Sequence, residues 1–361
     1  MNILQYFKRQ SEPVKASIAF LIINIIQKGF TLITTPIYTR LMNQSEYGEV
    51  SVFSSWLNTI GIITMFCLSN GIFNNGMIKY KNKRESYTLS MLALSNLITL
   101  ICLIFVLFFY KSFSEFTEMS VPLILLMFII YFTQPAFNFW SARKRFEYKY
   151  KGILIATIIT ATISPIVSIF LMYIFPNAKV YDRLFGGEGV FIVLYIVLFI
   201  YIIVEGKGRV NTSFWKEAVL FNIPLIPHYL SGIILNNSDR IMIGQLVGND
   251  AAAMYSLAYN VSLAGTIVWN AINSSLIPYT YEKAEKKEYK AISHVTMPII
   301  FLYAGLCFVI IMLAPEVVAV LAPNSYAGSI YVIPSVVGGV FFLSLFFFFV
   351  IFFFYFKKAL Y

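Results

Sequence analysis

The sequence predicts an all-α, polytopic transmembrane helical bundle of about ten spans, and three observations carry that reading. The chain is 59% hydrophobic and only 12% charged, about half the charged share of a soluble domain. Its apolar residues come in blocks long enough to cross a hydrocarbon core of about 30 Å, which takes about 20 helical residues. Its Lys and Arg residues gather in alternate short connections between those blocks, the bias that orients membrane proteins.

The expected spans are 16–38, 48–73, 88–110, 120–140, 152–174, 189–204, 217–238, 251–277, 292–313 and 330–355, the sixth being short. With the N-terminus inside, 21 of the 27 Lys and Arg residues fall in inner segments and five in outer loops, while Lys28 lies within the first span. This alternation predicts cytoplasmic N- and C-termini. It also accounts for the net charge of +10 without a nucleic-acid partner. Lys8, Arg9 and Lys15 precede an apolar stretch too long for a cleaved signal, so the first span reads as an uncleaved anchor. Cys67, Cys102 and Cys307 lie in apolar segments and read as small core residues, with no metal or disulfide role.

The first span has a lysine near its middle. Asn24, Gln27, Lys28, Thr31, Thr35 and Tyr38 recur at spacings of three and four and share one helical face. The bilayer interface is roughly 15 Å from mid-span, too far for a lysine stem to reach easily. Lys28 is therefore expected to face a cavity, with a helix-packing contact as the alternative. The eighth span repeats the pattern with Tyr255, Tyr259, Ser262, Thr266, Asn270 and Asn273. The second adds Ser51, Ser55 and Asn58, and the fourth Tyr131, Gln134 and Asn138. Hydroxyls and carboxamides with interleaved aromatics suit sugar hydroxyls and a wet cavity; the alternative is interhelical hydrogen bonding at about 0.6 kcal/mol per contact.

Pro224 and Pro227 in the seventh span free backbone carbonyls and make that helix a hinge candidate. Arg40, Asp239 and Arg240 stand at outer helix ends, where they anchor the interface or capture substrate. Thr39-Arg40-Leu41-Met42 matches Asp239-Arg240-Ile241-Met242 in both type and topology. The match predicts two parallel lobes, a six-span lobe over 1–205 and a four-span lobe over 206–361. The chain contains no GxxxxGK[ST], GxSxG or HExxH pattern. No carboxylate is expected in a span interior, and the chain does not read as an enzyme.

Arg40-Leu41 followed by Glu46-Tyr47-Gly48, and Asn236-Asn237-Ser238-Asp239-Arg240-Ile241-Met242-Ile243-Gly244 with Tyr255-Ser256-Leu257-Ala258-Tyr259, resemble Wzx-type polysaccharide repeat-unit flippases. These belong to the multidrug/oligosaccharidyl-lipid/polysaccharide exporter superfamily. The resemblance implies two helical lobes around a cavity in the bacterial inner membrane. It implies movement of undecaprenyl-diphosphate-linked oligosaccharide to the outer leaflet for O-antigen, capsule or exopolysaccharide synthesis, without a cofactor. Lys28 then serves as the cation for the diphosphate. The implied partners are that lipid-linked oligosaccharide, membrane lipids, and the polysaccharide polymerase and chain-length proteins. Family members have twelve or more spans, so a four-span second lobe reads as truncated. The alternatives are a cation-coupled drug exporter of the same superfamily and a non-transporting subunit of a polysaccharide-synthesis complex.

Overall fold

The computed structural model describes residues 12–355, with side chains omitted for part of the first helix and for 351–355. The described residues form helices α1 (Glu12–Leu41), α2 (Gln44–Thr64), α3 (Ile72–Lys79), α4 (Arg84–Phe108), α5 (Tyr110–Thr117), α6 (Val121–Phe146) and α7 (Tyr150–Ile174). They continue with α8 (Lys179–Glu205), α9 (Ser213–Asn222), α10 (Ile226–Leu246), α11 (Asn249–Glu285), α12 (Tyr289–Met312), α13 (Ala314–Leu321) and α14 (Ser329–Tyr355). Among the described residues no strand occurs, and eight helical segments are long and apolar enough to cross a membrane. The chain is a multi-pass membrane protein.

Two expected boundaries are corrected. The span drawn over 48–73 is a helix only to Thr64, where a turn leads to the separate α3. Glu46, Glu49, Ser51, Ser54, Ser55, Asn58 and Thr59 make α2 too polar to stand among the eight. The short sixth span is the 27-residue α8, which begins ten residues earlier than expected. As a result Glu188 lies about 14 Å along the axis from Lys179, inside a spanning helix, against the expectation that no carboxylate would. The 186–189 run Gly-Gly-Glu-Gly has the composition of a turn, but here it is helical, and Gly186 and Gly187 face α7. A Cβ on Gly186 would meet the Ser168 backbone of α7 at 3.0 Å, a small-residue contact that lets two membrane helices approach.

The chain divides into two compact units, one taking in the chain up to Phe30 with Ser45–Ala252, the other Thr31–Gln44 with Ala253 onward. The core of the first unit is aromatic. Phe73 sits 4.8 Å from Phe139 and 5.7 Å from Tyr87, and Phe214 sits 4.6 Å from Tyr80 and 5.1 Å from Tyr87. A side chain on Gly76 would collide with the Tyr87 ring, so α3 can lie this close to α4 only with glycine there. Gly48 of the Glu46-Tyr47-Gly48 motif has the same role, its open face lying against the Asn249 carbonyl. In the second unit Tyr303 centres the packing. Its hydroxyl donates to Gly265 O at 3.3 Å and lies 3.1 Å from Ser344 Oγ, while its ring lies 5.1 Å from Trp269.

One charge cluster fixes three helix ends of the first unit. Arg143, in the last turn of α6, is 6% exposed. It contacts Glu85 of α4 at 2.8 Å, Glu147 at 2.8 Å and Glu205 of α8 at 2.6 Å. Burial alone would raise the Glu147 carboxyl, but hydrogen bonds from Lys149 and Arg143 outweigh it and hold the group at about 2. Arg143→Ala removes the buried cation shared by Glu85, Glu147 and Glu205 and is expected to lower the unfolding free energy in detergent by about 1–3 kcal/mol. Glu85→Gln, at a half-exposed carboxylate, should lower it by about 1 kcal/mol or less. Because the Glu147 value is depressed in the folded state, its contribution is present above the ordinary 4.5 and lost as pH falls toward about 2. Tryptophan-fluorescence unfolding curves across that window should therefore steepen for the wild type relative to Glu147→Gln.

Candidate functional site

The first unit contains a polar cleft of about 470 Å³. Leu57, Asn58, Gly61 and Ile62 of α2, with Met65 just past its end, line one wall, and Gln134, Asn138, Ala142 and Arg145 of α6 line the facing one. Cys67, Ser69, Asn70 and Asn74 close one end, and Tyr229 and Ile233 of α10 complete the lining. The α6 positions 134, 138 and 145 differ by four and seven residues, so they stand on one helical face over about 16 Å of axis. They form a ladder of two carboxamides leading to a guanidinium at the helix end.

Hydrogen bonds from the backbone and from buried side chains hold the walls. The Tyr131 hydroxyl, fully buried, donates to Leu57 O at 2.8 Å and sets α2 against α6 beside Asn58. Thr99 Oγ1 of α4 donates to Thr64 O at 3.1 Å and fixes the end of α2. Past that end Phe66 and Cys67 adopt φ of 56° and 48°, a left-handed conformation unfavourable for such side chains. Asn222, fully buried at the end of α9, holds this turn, donating from Nδ2 to Phe66 O at 3.1 Å. Its Oδ1 would sit 2.8 Å from a Cβ on Gly71, so the turn needs glycine at that point.

The segment with the two prolines is broken as the prolines predict. The helix stops at Asn222, a 3-10 turn occupies Ile223–Leu225, and α10 starts with Pro227 in its first turn. Before the break, α9 is tied to α3 by Lys79 Nζ at 2.6 Å and Tyr80 Oη at 2.8 Å from Glu217. After it, Tyr229 and Ile233 reach the cleft.

Of the residues singled out in sequence, the cleft gathers Asn58, Gln134 and Asn138. Lys28 and Asn58 fall in the first unit, while Thr31, Thr35, Tyr255, Tyr259, Ser262, Asn270 and Asn273 fall in the second. Lys28 is half-buried and makes no hydrogen bond or ion pair among the described residues. The side chain of Asn24 lies outside the described ones. Thr35 and Ser262 are buried and donate within their own helices, to Thr31 O at 2.7 Å and Tyr259 O at 2.7 Å. Asn270 is exposed. Arg40 stands in the last turn of α1, where it donates to Pro36 O at 2.9 Å and to Val320 O at 3.0 Å. Thr39 donates to Leu321 O at 2.6 Å, so this motif caps the C-terminal carbonyls of α13. Asp239 and Arg240 stand inside α10, which continues to Leu246 rather than ending beside them.

Arg145, Asn70 and Asn74 went unremarked in sequence as site residues. Arg145 was counted only as an orienting charge, although its spacing from Gln134 and Asn138 continues their stripe. Asn70 falls inside the span expected over 48–73 and Asn74 just past it, whereas the helix ends at Thr64.

A family model described as polysaccharide biosynthesis protein matches residues 14–283. The chain belongs to that family. A protein of the Lsg locus of Haemophilus influenzae is 32% identical over 68 residues, which are 19% of this chain and 17% of that protein. An inward-facing multidrug-resistance MATE-family transporter of the MOP superfamily superposes with a TM-score of 0.61 at 12% identity, covering 88% of this chain and 80% of that one. A MATE transporter crystallised with MaL6 superposes with a TM-score of 0.55 at 15% identity, covering 90% and 78%. The chain shares its fold with these two transporters.

If the cleft is wet, cysteines introduced at its carboxamides are open to small water-soluble thiol reagents. In a background without native cysteines, Asn58→Cys, Asn74→Cys and Asn138→Cys are expected to label in detergent. Thr160→Cys, buried on α7, should not; equal labelling at all four positions would refute an aqueous cleft.

Proposed function

We propose that the protein moves lipid-diphosphate-linked oligosaccharide repeat units from the inner to the outer leaflet of the bacterial plasma membrane. The observation that carries this reading is the carboxamide cleft among membrane-spanning helices. Asn58, Gln134 and Asn138 offer both donors and acceptors, which matches the hydroxyl and acetamido groups of a sugar chain. Membership in the polysaccharide biosynthesis family supports the substrate class. The lipid tail can remain in the bilayer while the head group crosses. A diphosphate needs a cation in a low-dielectric setting. Arg145 in the cleft and half-buried Lys28 are the cations we assign to it. The 223–225 break serves as the hinge by which α10 widens and narrows the cleft.

A second reading, a cation-coupled exporter of small molecules, draws support from Glu188 inside α8, since an intramembrane carboxylate is the usual means of carrying protons or sodium. The two readings separate in proteoliposomes. Accessibility of a lipid-linked oligosaccharide to an external probe should rise with the wild type. It should fall at least roughly tenfold in Gln134→Leu/Asn138→Leu and in Arg145→Gln, the loss of one to two kcal/mol per polar contact. Lys28→Gln should insert normally but flip slowly. Wild-type flipping by all of these variants would remove the cleft from the mechanism. Drug efflux that collapses with the ion gradient and with Glu188→Gln would favour the second reading.

The orientation proposed from the charge bias is cytoplasmic at both termini. Cysteines at Ser114 and Asn324 should then react with impermeant reagents added outside intact cells, and one at exposed Asn82 should not.

A further inference from the structure

At the end of the first unit where α4 begins and α8 finishes, the carboxylates are already engaged. Glu85, Glu147 and Glu205 hold Arg143, Glu147 also meets Lys144 and Lys149, and Glu217 holds Lys79. The same end presents Lys81 and Lys83 on the 3-10 turn before α4, and Lys207 and Arg209 on the loop after α8. All four are exposed, and their side chains make no ion pair among the described residues. The two loops are fixed side by side. Ser86 Oγ donates to Arg209 O at 3.1 Å, the Asn211 N–H donates to Ser90 Oγ at 2.8 Å, and Trp215 Nε1 donates to Ser90 O at 2.8 Å. Four cations are thus carried on two loops tied to one frame, with the nearby acids paired to other cations.

Their depth narrows the identity of the anion. The four residues stand just beyond the ends of α4 and α8, both able to cross a bilayer, and so at the level of the phosphate groups. Trp215, half-buried beside them, has the amphipathic ring favoured at that level. We propose that the 81–83 and 207–209 loops together bind the headgroup of an acidic phospholipid of the surrounding bilayer. Lipid phosphate is available at that depth at high local concentration, and Lys and Arg there are drawn to acidic headgroups. The site is separate from the cleft and does not depend on the transported substrate.

Native mass spectrometry and unfolding midpoints of the full chain in neutral detergent test this directly, with cardiolipin and phosphatidylcholine as probes. Cardiolipin should remain bound and raise the midpoint, phosphatidylcholine should do neither, and the cardiolipin effect should shrink as salt is added. Lys81→Gln/Lys83→Gln/Lys207→Gln/Arg209→Gln should weaken cardiolipin binding by roughly fivefold per charge removed. Lys111→Gln/Lys179→Gln, at the opposite ends of the same helices, should bind as the wild type does. Equal effects of the two lipids, undiminished binding by the fourfold variant, or an equal loss in the Lys111/Lys179 variant would each overturn the proposal.

Discussion

A single guanidinium sets the geometry from which the cleft follows. In a bilayer, helices gain little from burying apolar faces against one another, because lipid is as apolar as leucine. Rotation of a spanning helix is therefore decided by its few polar contacts. On α6 the decisive one is Arg143, held between the start of α4, the end of α8 and Glu147. Desolvating a cation is expensive, and only several well-placed carboxylates offset it. Arg145 lies two residues on, about 200° around the helix. Fixing Arg143 toward α4 and α8 therefore turns Arg145, with Gln134 and Asn138 on the same stripe, toward α2 and the cleft. One residue of the basic pair locks the helix while the other is presented to the interior.

The spans were legible in the sequence because hydrocarbon thickness imposes a length that composition must satisfy. The helical ladder of residues was legible too, since Gln134 and Asn138 stand out against an apolar background. What escaped was set by contacts between elements. Gly186, Gly187 and Gly189 look like a turn until Ser168 of α7 is seen against Gly186; with that contact the turn becomes helix and Glu188 moves into the span. The end of α2 at Thr64 escaped for a related reason. Met65, Phe66 and Cys67 are apolar enough to extend a span, and only the buried amide of Asn222, some 150 residues away in sequence, shows what holds the chain in a left-handed turn there.

Glu188 also changes the electrostatic reasoning about Lys28. When no carboxylate was expected within a span, the substrate was the natural counter-ion for that lysine. With an acid inside α8, a cation in a span has a possible protein counterpart, and the case for Lys28 rests on its own half-burial and lack of bonded partners among the described residues. Arg145 needs no such inference about absence, because it lines the cleft together with the carboxamides. A guanidinium and the carboxamides of Gln134 and Asn138 thus stand on one helical stripe of the same cleft.

The 3-10 turn at 223–225 divides the two-proline segment into two parts with different attachments. On the α9 side of the break, Glu217 and Asn222 bind α3 and the 65–71 turn through hydrogen bonds from or to buried or half-buried groups. On the α10 side, Tyr229 and Ile233 contribute side chains to the cleft, and Pro227 requires no backbone bond in the first turn of a helix. Pro224 and Pro227 lack the N–H groups that would bond one turn back, while the Ile226 N–H still donates to Ile223 O, so the 223–225 turn keeps fewer backbone bonds than a regular helix. The left-handed residues Phe66 and Cys67 stand on the anchored side, where the Asn222 amide keeps the wall in place. Backbone groups in lipid must stay satisfied, and the 223–225 turn falls between the part tied to α3 and the 65–71 turn and the part that lines the cleft.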